Sequence, residues 1–165
     1  MAVDGLKDVQ KKLDDLVEGL ETVSMTGVMD AAIRLGTDSQ ARAPAEYGDL
    51  RGSLYVNVNG DRVANGEKGG GISTAATPSE VLTATVATVG FSSVYAAAQH
   101  EHIEYHHPSL ERQRRQQKGG VADPYFTDAG EAKYLERALT ELIDSGDMLK
   151  IITGKMGDAL NGAGA

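Results

Sequence analysis

Cysteine is absent from the 165 residues, which excludes disulfides, thiolate chemistry and any zinc or iron–sulfur site held by cysteine sulfur. Tryptophan is absent too, and phenylalanine occurs twice, so the core is expected to be modest in aromatic bulk. No apolar stretch approaches the ~18 residues of a membrane span. The first residues, Met1 to Lys12, lack the basic segment and apolar run of a secretory signal. The expectation is a soluble protein with no membrane partner, suited to a reducing cytosol. Positive charge is also short, with 16 Lys and Arg against 24 Asp and Glu and a net charge of −8. Nucleic-acid binders draw much of their affinity from basic patches, so this balance argues against gripping DNA. It does not argue against a wall along which a duplex slides without sticking. Glycine is abundant, with 20 residues, and points to long flexible segments whose order partners complete.

At this length one domain, residues 1–165, is the default, and its core needs no covalent staple. Residues 1–22 carry an amphipathic helix in which Leu6, Val9, Leu13, Leu16, Val17 and Leu20 follow helical spacing, with Asp4 as N-cap. A second helix is expected from about Ser24 to Ala43, carrying Met25, Val28, Met29, Ala32, Ile33 and Leu35, and it ends before Pro44. The period then changes. Leu54, Val56 and Val58 alternate with Tyr55, Asn57 and Asn59, as in a half-buried strand. Asn59-Gly60 and Asn65-Gly66 read as turns, and the glycine-rich run 66–80 reads as a mobile loop. Residues 81–90 alternate again and are expected to pair with the first strand, closing an antiparallel hairpin with an extended tip. A short helix over Tyr95–His100, an irregular stretch 101–126 and a helix from about Thr127 follow. Ser145-Gly146 breaks that helix. Residues 146–165 give a last amphipathic helix and a frayed tail. The pattern predicts an α+β fold, a small antiparallel sheet flanked on one face by N-terminal and C-terminal helices.

The densest chemistry is His100-Glu101-His102-Ile103-Glu104-Tyr105-His106-His107, which holds all four histidines. Imidazoles and carboxylates this close suit Zn²⁺, Ni²⁺ or Fe²⁺, and a metal-dependent enzyme is the reading they would support. The zinc-hydrolase spacings fail, because Glu104 stands where H-E-x-x-H needs histidine and the inverted spacing fails as well. Loop or interface histidines bonded to carboxylates account for the run without a metal. No serine lies in a G-x-S-x-G elbow, and Gly69-Gly70-Gly71 lacks the lysine of a phosphate loop. Arg112, Arg114, Arg115 and Lys118 form a basic run that could touch DNA, but a solvated loop explains it as well. The expectation is no catalytic residue, no metal and no cofactor.

The stretch from Ala41 to Leu54 is physically a helix end, a proline stop, a glycine turn and entry into a strand. It closely resembles the A-x-x-P-x-x-[TY]-G-x-L-R-x-S-[IL] signature of the HK97 gp10-like tail-completion (neck) proteins of tailed bacteriophages. The positions that match are Ala41, Pro44, Tyr47, Gly48, Leu50, Arg51, Ser53 and Leu54. Tyr95-Ala96-Ala97-Ala98-Gln99-His100-Glu101 resembles the family's Y-A-x-x-Q-H-E segment, with His107 downstream where relatives place a histidine. Ala132-Lys133-Tyr134-Leu135-Glu136 resembles its helix opening A-K-Y-L-E. The resemblance spans roughly residues 24–145 and departs from the family at the insertion 108–131. It implies a non-enzymatic virion protein at the head–tail junction, assembled in the host cytoplasm as a homo-oligomeric ring, expected to be hexameric. Its partners would be connector or stopper proteins and the tail tube protein, with DNA passing through unspecifically. A head-side stopper or adaptor position is the alternative. The resemblance marks Pro44, Tyr47, Gly48, Leu50, Arg51, Tyr95, Gln99, His100, Glu101, His107, Lys133, Tyr134 and Leu135 as interface or motif residues. Packing within the subunit would explain several of them equally well.

Overall fold

The computed structural model describes residues 4–44, 48–75, 85–101 and 133–162. It is α+β, as the sequence pattern predicts: helices from both ends of the chain and a four-stranded antiparallel sheet of order β3-β2-β1-β4. The N-terminal helix α1 runs unbroken over Asp4–Arg42 for 39 residues, about 58 Å at 1.5 Å per residue. The two helices expected on either side of residue 22 are therefore one. No proline interrupts Glu21-Thr22-Val23, and interior glycines weaken a helix by only about 1 kcal/mol each. The helix ends where Pro44 requires.

A single helical turn, α2 (Asp49–Gly52), leads into β1 (Leu54–Val58). Asn59 and Gly60 then take positive φ, 53° and 93°, the geometry a two-residue hairpin turn demands, and β2 (Asp61–Gly66) returns alongside β1. The register slips between Val56 and Asn57, where Ala64 and Arg62 are the partners. Val63 is thus the extra residue of a bulge, and it is fully buried. The expected turn at Asn65-Gly66 and the expected loop from 66 onward are corrected here. Asn65 and Gly66 pair with Ser73 and Ile72 of β3 (Ile72–Thr74). The expected pairing of residues 81–90 with the first strand holds for β4 (Ala87–Phe91), antiparallel to β1 from Leu54↔Phe91 to Val58↔Ala87. The excursion between the two strands contains β2 and β3 where an unstructured tip was expected. Residues 76–84 lie outside the described residues.

The face of the sheet that carries Val56, Val58, Val63 and Ala64 packs on Met25, Met29, Ala32 and Ile33 of α1. Each fully buried valine there contributes about 1.5–3 kcal/mol. The chain resumes with α3 (Ala96–Glu101) and then, across undescribed residues, α4 (Tyr134–Asp144) and α5 (Asp147–Gly162), separated by Ser145 and Gly146 as expected. α4 lays Ala138 and Leu142 against Leu35 of α1. α5 runs back along α1 so closely that a Cβ on Gly27 would stand 2.9 Å from the Ile152 carbonyl oxygen. Lys155 and Asp30 bridge the two helices at 3.3 Å.

Candidate functional site

The three segments that carry the resemblance are far apart in sequence, and the fold gathers them at one place. At its centre is Tyr134, the first residue of α4, with only 1% of its surface exposed. Its ring meets Phe91 at 5.0 Å between centroids and His100 at 4.9 Å, both edge-on at 83°, the arrangement aromatic quadrupoles prefer. Its hydroxyl donates to the Ala96 carbonyl at 3.0 Å. Ala43, Leu50 and Ala96 close the cluster, with Leu135 partly buried against it. The Ala41–Leu54 segment, the Tyr95–Glu101 segment and the Lys133–Leu135 segment therefore each supply a wall.

Local conformation explains why these residue types are used. Gly48 precedes α2 with φ 77°, a backbone that side chains resist, and a Cβ there would lie 2.6 Å from the Lys68 carbonyl oxygen. That turn aims Leu50 into the cluster, 3% exposed, and swings Arg51 back over the end of α1. Arg51 Nε donates to the Ala43 carbonyl at 3.0 Å and Nη2 to the Ala41 carbonyl at 3.1 Å. These are the orphan acceptors of a helix C-terminus, where a cation is also favoured by the dipole. Burial pulls the Arg51 guanidinium below its ordinary pKa, and it stays charged at neutral pH regardless. Pro44 follows directly at the end of the helix, half-buried.

His100 lies in α3, its Nδ1 2.9 Å from Glu101 Oε1, and its carbonyl accepts the Lys133 backbone N–H at 2.6 Å. Its Nε2 is buried with no hydrogen-bond partner among the described residues. Lys133 takes φ 54° just before α4 and is paired with Glu136 at 3.1 Å, which raises its pKa. Gln99 occupies α3 as well. Among the motif residues Tyr95 is 42% exposed, beside Val94, which is fully exposed, and Glu101 and Lys133 are exposed too. Tyr47 and His107 lie outside the described residues, as do His102, His106 and the basic run Arg112–Lys118.

Chemically the cluster is a lock. Burial pushes the Tyr134 phenol up to about 12, and its proton is already committed to a backbone carbonyl, so it neither gives nor takes protons at neutral pH. Among the described residues, no group of three or more His, Asp or Glu side chains could hold a metal ion.

Two participants were not legible in the sequence. Phe91 completes the aromatic trio from the end of β4. Gln40, 2% exposed, donates to the carbonyls of Arg51 and Glu67 at 3.0 and 3.3 Å and accepts from the Gly71 N–H at 2.7 Å. It thus ties α1 to α2 and to the β2–β3 turn. The one available signal for Gln40 is its place one helical turn before Pro44, and that does not distinguish a buried glutamine from a surface one. Comparison with protein-family models, with curated proteins and with solved structures found no match to this chain.

Proposed function

We propose that this chain is a structural subunit of the neck of a tailed bacteriophage, forming a homo-oligomeric ring at the tail-completion position. The observation that carries the reading is the convergence on Tyr134. Segments that match one family signature by chance have no reason to meet in space, and here Leu50, Ala96, His100 and Tyr134 of the three segments share one cluster. The motif residues then conserve the subunit's shape, while the contacts to neighbours come from other surfaces. Val94 and Tyr95 stand exposed at the edge of the lock and suit such a contact, since exposed apolar side chains grouped together mark interaction sites.

The test is the mass of the purified protein by light scattering over a concentration series, alone and with the tail tube protein added. The expected result is a discrete ring, alone or on addition of the partner, whose mass gives the symmetry. A strict monomer indifferent to the tail protein would overturn the tail-completion position and favour the head-side stopper, and adding the connector protein would test that position in the same way.

A further inference from the structure

Packing on α1 accounts for one face of the sheet, and the other face has a composition of its own. Residues directly opposite one another across a sheet share a face. Thr88, Asn57 and Arg62 therefore form one row across β4, β1 and β2, and Gly90, Tyr55, Asn65 and Ser73 form a second row that reaches β3. Neither row contains a carboxylate, in a chain whose Asp and Glu number 24 against 16 Lys and Arg. The rows consist of hydroxyls, amides and one cation.

That cation is held in place. The Arg62 guanidinium carbon lies 4.7 Å over the Tyr55 ring, and Nη1 donates to Asn65 Oδ1 at 2.9 Å. Tyr55 can lie across the sheet because residue 90 is glycine; a Cβ there would be 2.8 Å from the ring. Stacking engages the π-face of the guanidinium and one N–H, leaving others of its planar fork to donate outward, the geometry that suits a phosphate. Thr88 and Ser73 are exposed on the same face, as Arg62 is.

We propose that this face lies against the sugar–phosphate backbone of double-stranded DNA, as the channel wall of the ring. The proposal rests on the ring reading and adds which surface meets the duplex. A polyanion beside an acidic subunit approaches best where no carboxylate opposes it. A single pre-placed arginine and neutral donors hold a duplex weakly and without reading bases. Repeated around a ring, the contacts add through effective concentration. Such a surface steadies a moving duplex without trapping it.

The experiment measures fluorescence anisotropy of a short labelled duplex with the purified protein, in the assembly state that light scattering reports for the same sample. Wild type is expected to bind at about 50 mM salt and to release by about 200 mM. Arg62→Ala is expected to weaken binding on the order of tenfold on unrelated sequences, while Arg62→Lys keeps most of it. Arg34→Ala, which removes an exposed cation of α1, leaves binding unchanged. Arg62 is exposed, so circular dichroism is expected to show each variant folded. A ring that does not bind at low salt, or binds equally well without Arg62, overturns the DNA face and spares the ring. Arg62-dependent binding by a chain that never forms a ring supports the face and removes the ring as its setting.

Discussion

Single side chains in this protein act through what they touch, and Tyr134 is the plainest case. Its hydroxyl donates to the Ala96 carbonyl, so Tyr134→Phe removes a buried hydrogen bond, and urea denaturation at neutral pH is expected to show a loss of about 0.5–1.5 kcal/mol. The pH dependence follows from the same burial. The folded-state pKa of about 12 lies above the ordinary 10.0, so the unfolded chain ionises first. The stability linked to Tyr134 is whole below pH 10 and drains as pH rises towards 12. The advantage of wild type over Tyr134→Phe should therefore shrink through that window, and an advantage that stayed constant would contradict the burial. Gly66 offers a second test. Its missing side chain makes room for the Arg51 carbonyl, which would stand 2.2 Å from an added Cβ, and for Gln40 Nε2 at 2.7 Å. Gly66→Ala is expected to destabilise by about 1–3 kcal/mol in the same assay; an unchanged midpoint would mean that strand β2 yields more easily than its pairing suggests.

Elements were readable to the degree that their signal is local. The strand at Leu54–Val58 alternates in the sequence and alternates buried and half-buried in the fold. The stop before Pro44 and the break at Ser145-Gly146 both hold. The β2–β3 pair escaped, because Asn65-Gly66 imitates a turn while its glycine answers a contact with Arg51, distant in sequence. Helix α1 reads as two for the opposite reason: its apolar residues change phase near residue 22, and period alone takes that change for an end. The α1–α5 contact is similarly invisible without coordinates, since Gly27 looks like a weak point in a helix and is the point of closest approach to Ile152. Gly27→Val should push α5 away from α1, and hydrogen exchange is expected to show faster exchange over 147–162 with the sheet still protected. Unchanged protection of α5 would mean that the two helices are not held at that point.

At the scale of the whole molecule, net charge sets the conditions for assembly. Copies each carrying −8 repel one another, and salt at about 0.1 M screens that repulsion beyond ~10 Å. If apolar surfaces such as Val94 and Tyr95 make the ring contacts, the mass by light scattering should rise as salt is raised from near zero to about 0.15 M. A mass that falls with salt would show the contacts to be ion pairs. The DNA contact proposed for the sheet face would move the other way with salt, weakening as it is raised.

By itself the sequence determined the class of the fold, the helix stops, the first strand and the partner strand at its side, because periodicity, proline and glycine act over a few residues. It also marked Leu50, Arg51, His100 and Tyr134 without saying what they are for. Only the tertiary structure decided that these are parts of one lock, that Arg51 caps α1 while Arg62 is stacked on Tyr55 in a row without carboxylates, and that Gln40 and Phe91 belong with the motif residues. Each of those facts depends on atoms brought together from distant parts of the chain, and burial, a capped carbonyl or a stacked guanidinium exists only once the chain has closed on itself.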